Sequence, residues 1–141
     1  MATLTTQIYE ILTLDGNDVG SSAVNTINGI NYIDNRSLSI PTGSITTLFS
    51  MDSVPGAGTF VTSSIKYIRV TNTTTFNVPI KLIVSSSTEA MSYLINTGSS
   101  YMISTSKMTG SESGLDFSDI KSVKVSPSGS SGSIEYYIAT T

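Results

Sequence analysis

The side chains that could do chemistry are few in this chain. It contains no His, Cys or Trp, which removes the most common general base, the thiol nucleophile and the usual ligands of transition metals. Asp116 and Asp119 lie close together with Glu112 before them, and paired carboxylates can hydrolyse glycosides or hold a metal ion. That chemistry also needs a cleft lined with aromatic rings. The segment is better explained as a loop that Leu115 and Phe117 anchor while the acids face water.

Two other groups of polar residues have equally ordinary explanations. Asp15, Asn17 and Asp18 offer oxygen ligands for Ca²⁺, but they lack the distal Glu of an EF-hand loop, and Asp-Gly is a common turn sequence. A Ser–Lys nucleophile could form at Ser106–Lys107 or Ser122–Lys124, but in a chain this rich in Ser such neighbours are expected by chance. We therefore predict no catalytic residue, no metal site and no cofactor, and a protein that is not an enzyme.

The composition favours a subunit of an assembly. Only 12% of the residues are charged and the net charge is −3, so little like-charge repulsion opposes association. The few basic residues form no patch that could neutralise several phosphates, which predicts no nucleic-acid binding. No segment approaches the roughly 18 apolar residues that span a bilayer, and the N-terminus lacks the pattern of a signal peptide. We expect synthesis in a cytoplasm and no membrane partner.

The elements that must position these residues are β-strands. Alternating, β-branched segments predict strands at 3–14, 30–40, 45–51, 64–72, 77–85, 91–96, 100–104, 119–126 and 133–139. Residues 15–29 are dense in Gly, Asn, Asp and Ser, and predict a loop. A capping-box spacing in 85–94 could start a helix, but a turn followed by a strand is favoured. The pattern predicts an all-β fold, an antiparallel β-sandwich or jelly-roll with an extended N-terminal strand or arm.

We expect a single domain over residues 1–141. This length is sufficient for one hydrophobic core without disulfides. A soft boundary near 53–58, where Pro and Gly cluster, leaves 59–141 as the most clearly compact part. Residues 1–14 could form an extended arm, and whether 1–64 are an arm or part of the sandwich stays open.

Apolar positions near the N-terminus and two consecutive tyrosines form the candidate interface. Its residues are Leu4, Ile8, Tyr9, Ile11, Leu12, Tyr136 and Tyr137. Consecutive residues of a strand point to opposite faces, so one of the two tyrosines must point away from the core side of its sheet. Tyr is enriched at interfaces, although a half-buried aromatic at a sheet edge explains it equally well. The N-terminal segment could add a strand to a neighbour's sheet edge.

The order of β-segments in the second half resembles that of a known family. The segments are IRVTN at 68–72, VPIKLIV at 78–84, YLINTGSSYMIS at 93–104, DIKSVKV at 119–125 and IEYYIAT at 134–140. Residues 65–139 resemble the small virion structural proteins of tailed bacteriophages, especially those of marine phages. The resemblance implies a β-sandwich or jelly-roll subunit mounted on a capsid or tail, and it implies no catalytic residue.

These observations together predict a non-enzymatic virion structural protein, made in the bacterial host cytoplasm. The main expectation is a capsid decoration or cement subunit that binds the major capsid protein or other virion proteins. A homo-oligomer such as a trimer would multiply weak contacts. A tail, collar or fibre-base subunit is an alternative, as is a carbohydrate- or receptor-binding β-sandwich module, which would need an exposed aromatic platform. A small hydrolase using Asp116 and Asp119 is the third class of function.

Overall fold

The computed structural model describes residues 2–54, 56, 58–61, 65–86, 89–104 and 120–141. These residues form strands, turns and loops but no helix, so the all-β prediction is confirmed. The weak helical candidate at 85–94 contributes a strand from Ala90 onward. Glu112, Asp116, Asp119 and Ser106–Lys107, which we weighed as chemical candidates, lie outside the described residues.

The chain divides into two compact units, Met1–Asn31 and Tyr32–Thr141. The strands of the first unit are β1 (Ala2–Glu10), β2 (Thr13–Leu14), β3 (Asn17–Asp18) and β4 (Ser21–Ile30). The strands of the second unit are β5 (Tyr32–Ile40), β6 (Thr46–Asp52), β7 (Thr59–Val61), β8 (Ile65–Asn72), β9 (Ile80–Ser85), β10 (Ala90–Ile95), β11 (Ser100–Ile103), β12 (Ser122–Pro127) and β13 (Gly132–Thr140). We expected one domain with a soft boundary near 53–58, but the division comes at Asn31, the single residue between β4 and β5.

The first unit is a long antiparallel β-hairpin. β1 pairs with β4 along its whole length, and β2 and β3 extend the ladder toward the tip. The expected N-terminal strand is therefore present, but it is folded against residues 17–30 rather than extended as an arm of residues 1–14. The prediction of a loop at 15–29 was wrong for most of that segment. Pairing with β1 compensates there for the low strand propensity of Ser, Asn and Gly.

Two glycines make the end of this hairpin possible. Asp15 and Gly16 have φ angles of 50° and 82°, and two consecutive positive values define the type I′ turn that Asp-Gly favours. A Cβ on Gly20 would lie 2.0 Å from the backbone oxygen of Glu10, so no larger residue fits without moving the backbone. The segment that could have been a Ca²⁺ loop is therefore a tight turn.

The second unit is a β-sandwich of two sheets. One sheet has the strand order β10-β9-β12-β6-β7 and the other has the order β11-β8-β13-β5. All their strand pairs are antiparallel except β6–β7, which is parallel. The predicted sandwich is confirmed. It begins at Tyr32, before the 59–141 stretch that we expected to be its compact part.

One hydrophobic core joins the two sheets. Phe49, Val84 and Val123 from the first sheet pack with Val70 and Ile138 from the second, and each is at most 1% exposed. Burying a side chain of this size stabilises the fold by about 1.5–3 kcal/mol. Because successive residues of a strand alternate between faces, the β-branched pattern seen in the sequence places one apolar row of each sheet in this core.

Asn72 is a buried polar residue that ties two turns to the end of β8. It is fully buried, and its side-chain nitrogen donates to the carbonyl oxygens of Val78 and Ile95, each at 2.9 Å. Its side-chain oxygen accepts from the backbone N–H of Thr74 at 3.0 Å. One buried amide thereby bonds three backbone groups from separate parts of the chain.

The two ends of the sheets differ in how they are closed. At the edge strands β10 and β11, the rings of Tyr93 and Tyr101 stack with centroids 4.5 Å apart. At the other end, the edge strands β5 and β7 are separated by a cleft of about 590 Å³. This open end offers space for a ligand.

Candidate functional site

One face of the hairpin carries four apolar side chains, beside the polar pairs Thr6–Asn25 and Glu10–Ser21. Leu4 pairs with Ile27, and Ile8 pairs with Ala23, so these four side chains project to the same side of the two-stranded sheet. Ile8 is 44% exposed, whereas Leu4 and Ile27 are half-buried. Two of the predicted interface residues, Leu4 and Ile8, therefore share a surface.

The opposite face of the hairpin is mostly polar, although it also carries Val24, which pairs with Gln7 and is 60% exposed. The Thr3 hydroxyl donates to the side-chain oxygen of Asn28 at 3.1 Å, and the side-chain amide of Gln7 donates to the hydroxyl of Tyr9 at 2.6 Å. Tyr9, 68% exposed, lies on this face because it is an odd-numbered residue of β1 like Gln7. The structure thus separates Tyr9 from Leu4 and Ile8, with which it was grouped.

The tip of the hairpin combines apolar and acidic side chains. Its most exposed apolar residues are Ile11, Leu12, Leu14 and Val19, each more than half exposed. Glu10, Asp15 and Asp18 are the only charged residues of positions 1–31, while positions 32–141 contain seven acidic and seven basic residues. The whole net charge of −3 therefore belongs to the hairpin. Sequence reasoning named Ile11 and Leu12 but missed Leu14 and Val19, which lay in the segments assigned to an arm and a loop.

Both long strands of the hairpin have an unpaired outer edge. Within the described residues, β1 and β4 bond only to each other, which leaves one backbone edge of each strand without a strand partner. Unpaired strand edges pair readily with other chains. The hairpin has the features of a segment that another surface covers.

Tyr136 is a core residue, which corrects its place in the candidate interface. It is 1% exposed, its ring lies 5.9 Å from that of Phe49, and its hydroxyl donates to Asp34 Oδ2 at 2.8 Å. Burial, helped by the bond to Asp34, raises the pKa of Tyr136 to about 12. Alternation indicated that the two consecutive tyrosines diverge but not which one enters the core.

Tyr137 is the tyrosine that faces away from the core. It is half-buried and meets the ring of Tyr67 edge to face, with centroids 6.0 Å apart. It lies beside an ion pair between Arg69 and Glu135 on the same outer face. Tyr137 therefore remains a candidate contact residue, on the sandwich rather than on the hairpin.

The cleft between β5 and β7 contains the second group of polar side chains. Arg36 donates from Nε to Asp34 Oδ1 at 2.9 Å, and the other oxygen of Asp34 accepts the bond from Tyr136. The hydrogen bond to Asp34 raises the pKa of Arg36 above its ordinary value. Tyr32 and Phe60 contribute aromatic rings to the lining. No sequence signal marked this cleft, because its two edge strands belong to different sheets.

The described residues show neither a metal-binding cluster nor a helix that could span a membrane. They contain no group of three or more His, Cys, Asp or Glu side chains that could hold a metal ion. Ser122 and Lys124 lie on the half-buried outer row of β12. Comparison with protein-family models, with curated proteins and with solved structures finds no match, so function has to be argued from the hairpin and the cleft.

Proposed function

We propose that this protein is a non-enzymatic virion structural subunit of a tailed phage, a capsid decoration protein that docks its hairpin on the major capsid protein. The observation that carries the proposal is the hairpin itself. It has an apolar face, an apolar and acidic tip, and two long strand edges without a partner among the described residues. Unpaired strand edges of this length are ready templates for pairing with a neighbouring chain.

Docking would use the backbone for affinity and the apolar face for register. The free edge of β1 or β4 can extend a sheet of the partner by hydrogen bonding, as in strand addition. A shift of one residue would turn Leu4 and Ile8 away from the partner, so the apolar row fixes the register. The acidic tip favours a partner surface that carries basic side chains.

The strand order supports assignment of the sandwich to the jelly-roll class. When the short edge strand β7 is set aside, eight strands remain in the second unit as described. We number these eight strands in chain order. The first, eighth, third and sixth (β5, β13, β8 and β11) lie in one sheet. The second, seventh, fourth and fifth (β6, β12, β9 and β10) lie in the other. Two Greek keys folded together produce this arrangement, and jelly-rolls are common among viral capsid and lectin domains.

One hairpin is too small to hold a subunit on a particle for long. Nine residues of β1 at roughly 3.3 Å each give a face about 30 Å long. Two strands together are roughly 10 Å wide, so the footprint is roughly 300 Å², against about 800 Å² per partner in stable complexes. A homo-oligomer such as a trimer would bring several hairpins to the lattice and multiply their affinities.

The test compares two neighbouring substitutions in the full chain. Ile8→Glu places a charge on the apolar face, and Gln7→Glu places the same charge on the polar face. We expect Ile8→Glu to reduce co-sedimentation with capsids that lack the protein by about tenfold or more, and Gln7→Glu to leave it unchanged. Equal thermal unfolding of the variants controls for folding.

Two outcomes would contradict the proposal. If Ile8→Glu binds capsids as tightly as Gln7→Glu, the apolar face does not dock. If gold-labelled chain appears at tails or collars rather than on the shell in electron micrographs, the protein is a tail, collar or fibre-base subunit instead.

A further inference from the structure

We propose that the cleft between β5 and β7 binds a neutral saccharide. This binding activity goes beyond the structural role proposed above and does not depend on it. The cleft belongs wholly to the second unit, since its lining residues all lie at or after Tyr32. Its volume of about 590 Å³ falls in the range of about 300–1,000 Å³ that is typical of small-molecule sites.

The polar side chains of the cleft match a ligand without charge. Asp34 and Arg36 form an ion pair, so an anion would meet the carboxylate of Asp34 and a cation would meet the guanidinium of Arg36. A polyol avoids both conflicts, because its hydroxyl groups accept from a guanidinium and donate to a carboxylate. The pair therefore has no net charge that would attract an ion of either sign, and its donors and acceptors suit a neutral polyol.

Enough hydrogen-bonding capacity remains in the pair to hold such a ligand. A guanidinium has five N–H donors and a carboxylate has about four lone-pair sites. Arg36 uses its Nε donor on Asp34, and Asp34 accepts only from Arg36 and Tyr136 within the described residues. The Arg36 side chain is 56% exposed and that of Asp34 is 17% exposed. The remaining donors and acceptors can therefore reach a ligand in the cleft.

Aromatic rings line the same cleft. Tyr32 is 69% exposed, and Phe60, which is half-buried, contacts Phe49 edge to face with ring centroids 6.0 Å apart. One face of a pyranose ring consists of C–H groups, which pack on an aromatic ring while the hydroxyl groups point elsewhere. An exposed aromatic platform is what a sugar-binding sandwich requires, and Tyr32 supplies it although the chain has no Trp.

The core holds the polar groups in place before any ligand arrives. Asp34 is anchored by the hydroxyl of Tyr136 at 2.8 Å, and Tyr136 is fixed in the core against Phe49. A site whose groups are already ordered loses less conformational entropy on binding. Phe49, Phe60 and Tyr136 thus connect the cleft to the buried core of the sandwich.

The experiment uses the full chain and saturation-transfer NMR, followed by calorimetry. The probes are glucose, galactose, mannose and N-acetylglucosamine as neutral sugars, with glucuronic acid as the anionic probe and glucosamine as the cationic one. We expect at least one neutral sugar to bind, and Tyr32→Ala to weaken that binding about tenfold or more. Tyr9→Ala is the matched control, since Tyr9 is 68% exposed and lies in the hairpin.

A second pair of variants tests the polar groups. Arg36→Gln should weaken binding of the neutral sugar about fivefold or more. Arg69→Gln, which removes a guanidinium from an ion pair on the outer face of the sandwich, should leave the binding unchanged.

Three results would overturn the proposal. These are the failure of all four neutral sugars to bind at millimolar concentration, equal affinities for Tyr32→Ala and Tyr9→Ala, and binding of glucuronic acid or glucosamine about tenfold tighter than any neutral sugar. None of these outcomes bears on capsid binding, so the two proposals fail separately.

Discussion

Replacing Asn72 by Ala should cost a large fraction of the stability of the sandwich. The side chain is fully buried, and its loss leaves the carbonyl oxygens of Val78 and Ile95 and the N–H of Thr74 without the partners described above. A buried backbone group left unsatisfied costs about 1–3 kcal/mol. Three such groups that relax partly toward water give about 3–5 kcal/mol, against a total of about 5–15 kcal/mol for a typical domain.

Urea denaturation measures this loss directly. With a slope of about 2 kcal/mol per molar urea, the midpoint should fall by roughly 1.5–2.5 M, and the slope itself should not change. The control is Asn35→Ala, because Asn35 is an exposed residue of β5 and surface substitutions usually change stability by less than about 0.5 kcal/mol. If Asn72→Ala and Asn35→Ala unfold at the same urea concentration, the buried amide does not stabilise the fold as argued.

Two further predictions concern the hairpin and the core. Gly20→Ala would place a Cβ 2.0 Å from the backbone oxygen of Glu10. Amide hydrogen exchange across residues 2–30 should therefore accelerate, while exchange in the core strands of the sandwich stays unchanged. Unaltered exchange in the hairpin would refute the steric argument. The pKa of Tyr136 rises from 10.0 to about 12 on folding, so its contribution to stability is complete below pH 10 and is lost as the pH rises from 10 through 12. Tyr136→Phe should make the free energy of unfolding depend less on pH between 10 and about 12. An unchanged pH dependence would contradict the raised pKa of Tyr136.

The sandwich strands were predictable because their signal is local. In β8 and β13, Ile68 and Val70 pair with Ile138 and Tyr136, and in each strand these buried apolar residues recur at every second position. A period of two is visible without knowledge of the partner strand. The turn at Asp15 is equally local, since Asp-Gly alone indicates a type I′ turn.

The remaining features depend on pairing between distant segments. β4 contains Ser21, Asn25 and Gly29 among weak strand formers, so only its ladder with β1 reveals it as a strand. Likewise, Asp34 and Phe60 have no relation in sequence, and they meet because their strands lie at edges of different sheets. This is why the hairpin and the cleft, the two candidate sites, were the parts that sequence reasoning located least well.

The one-residue connection at Asn31 has a mechanical consequence. A pull on the hairpin passes through Asn31 directly into β5, with no slack loop to absorb it. β5 is paired with β13 over nine residues, from Tyr32 to Ile40. A force along the axis of β5 therefore loads the whole ladder in shear, and its hydrogen bonds share the load instead of opening one after another. If the hairpin docks on a partner as proposed, this connection lets the sandwich resist being pulled away from it.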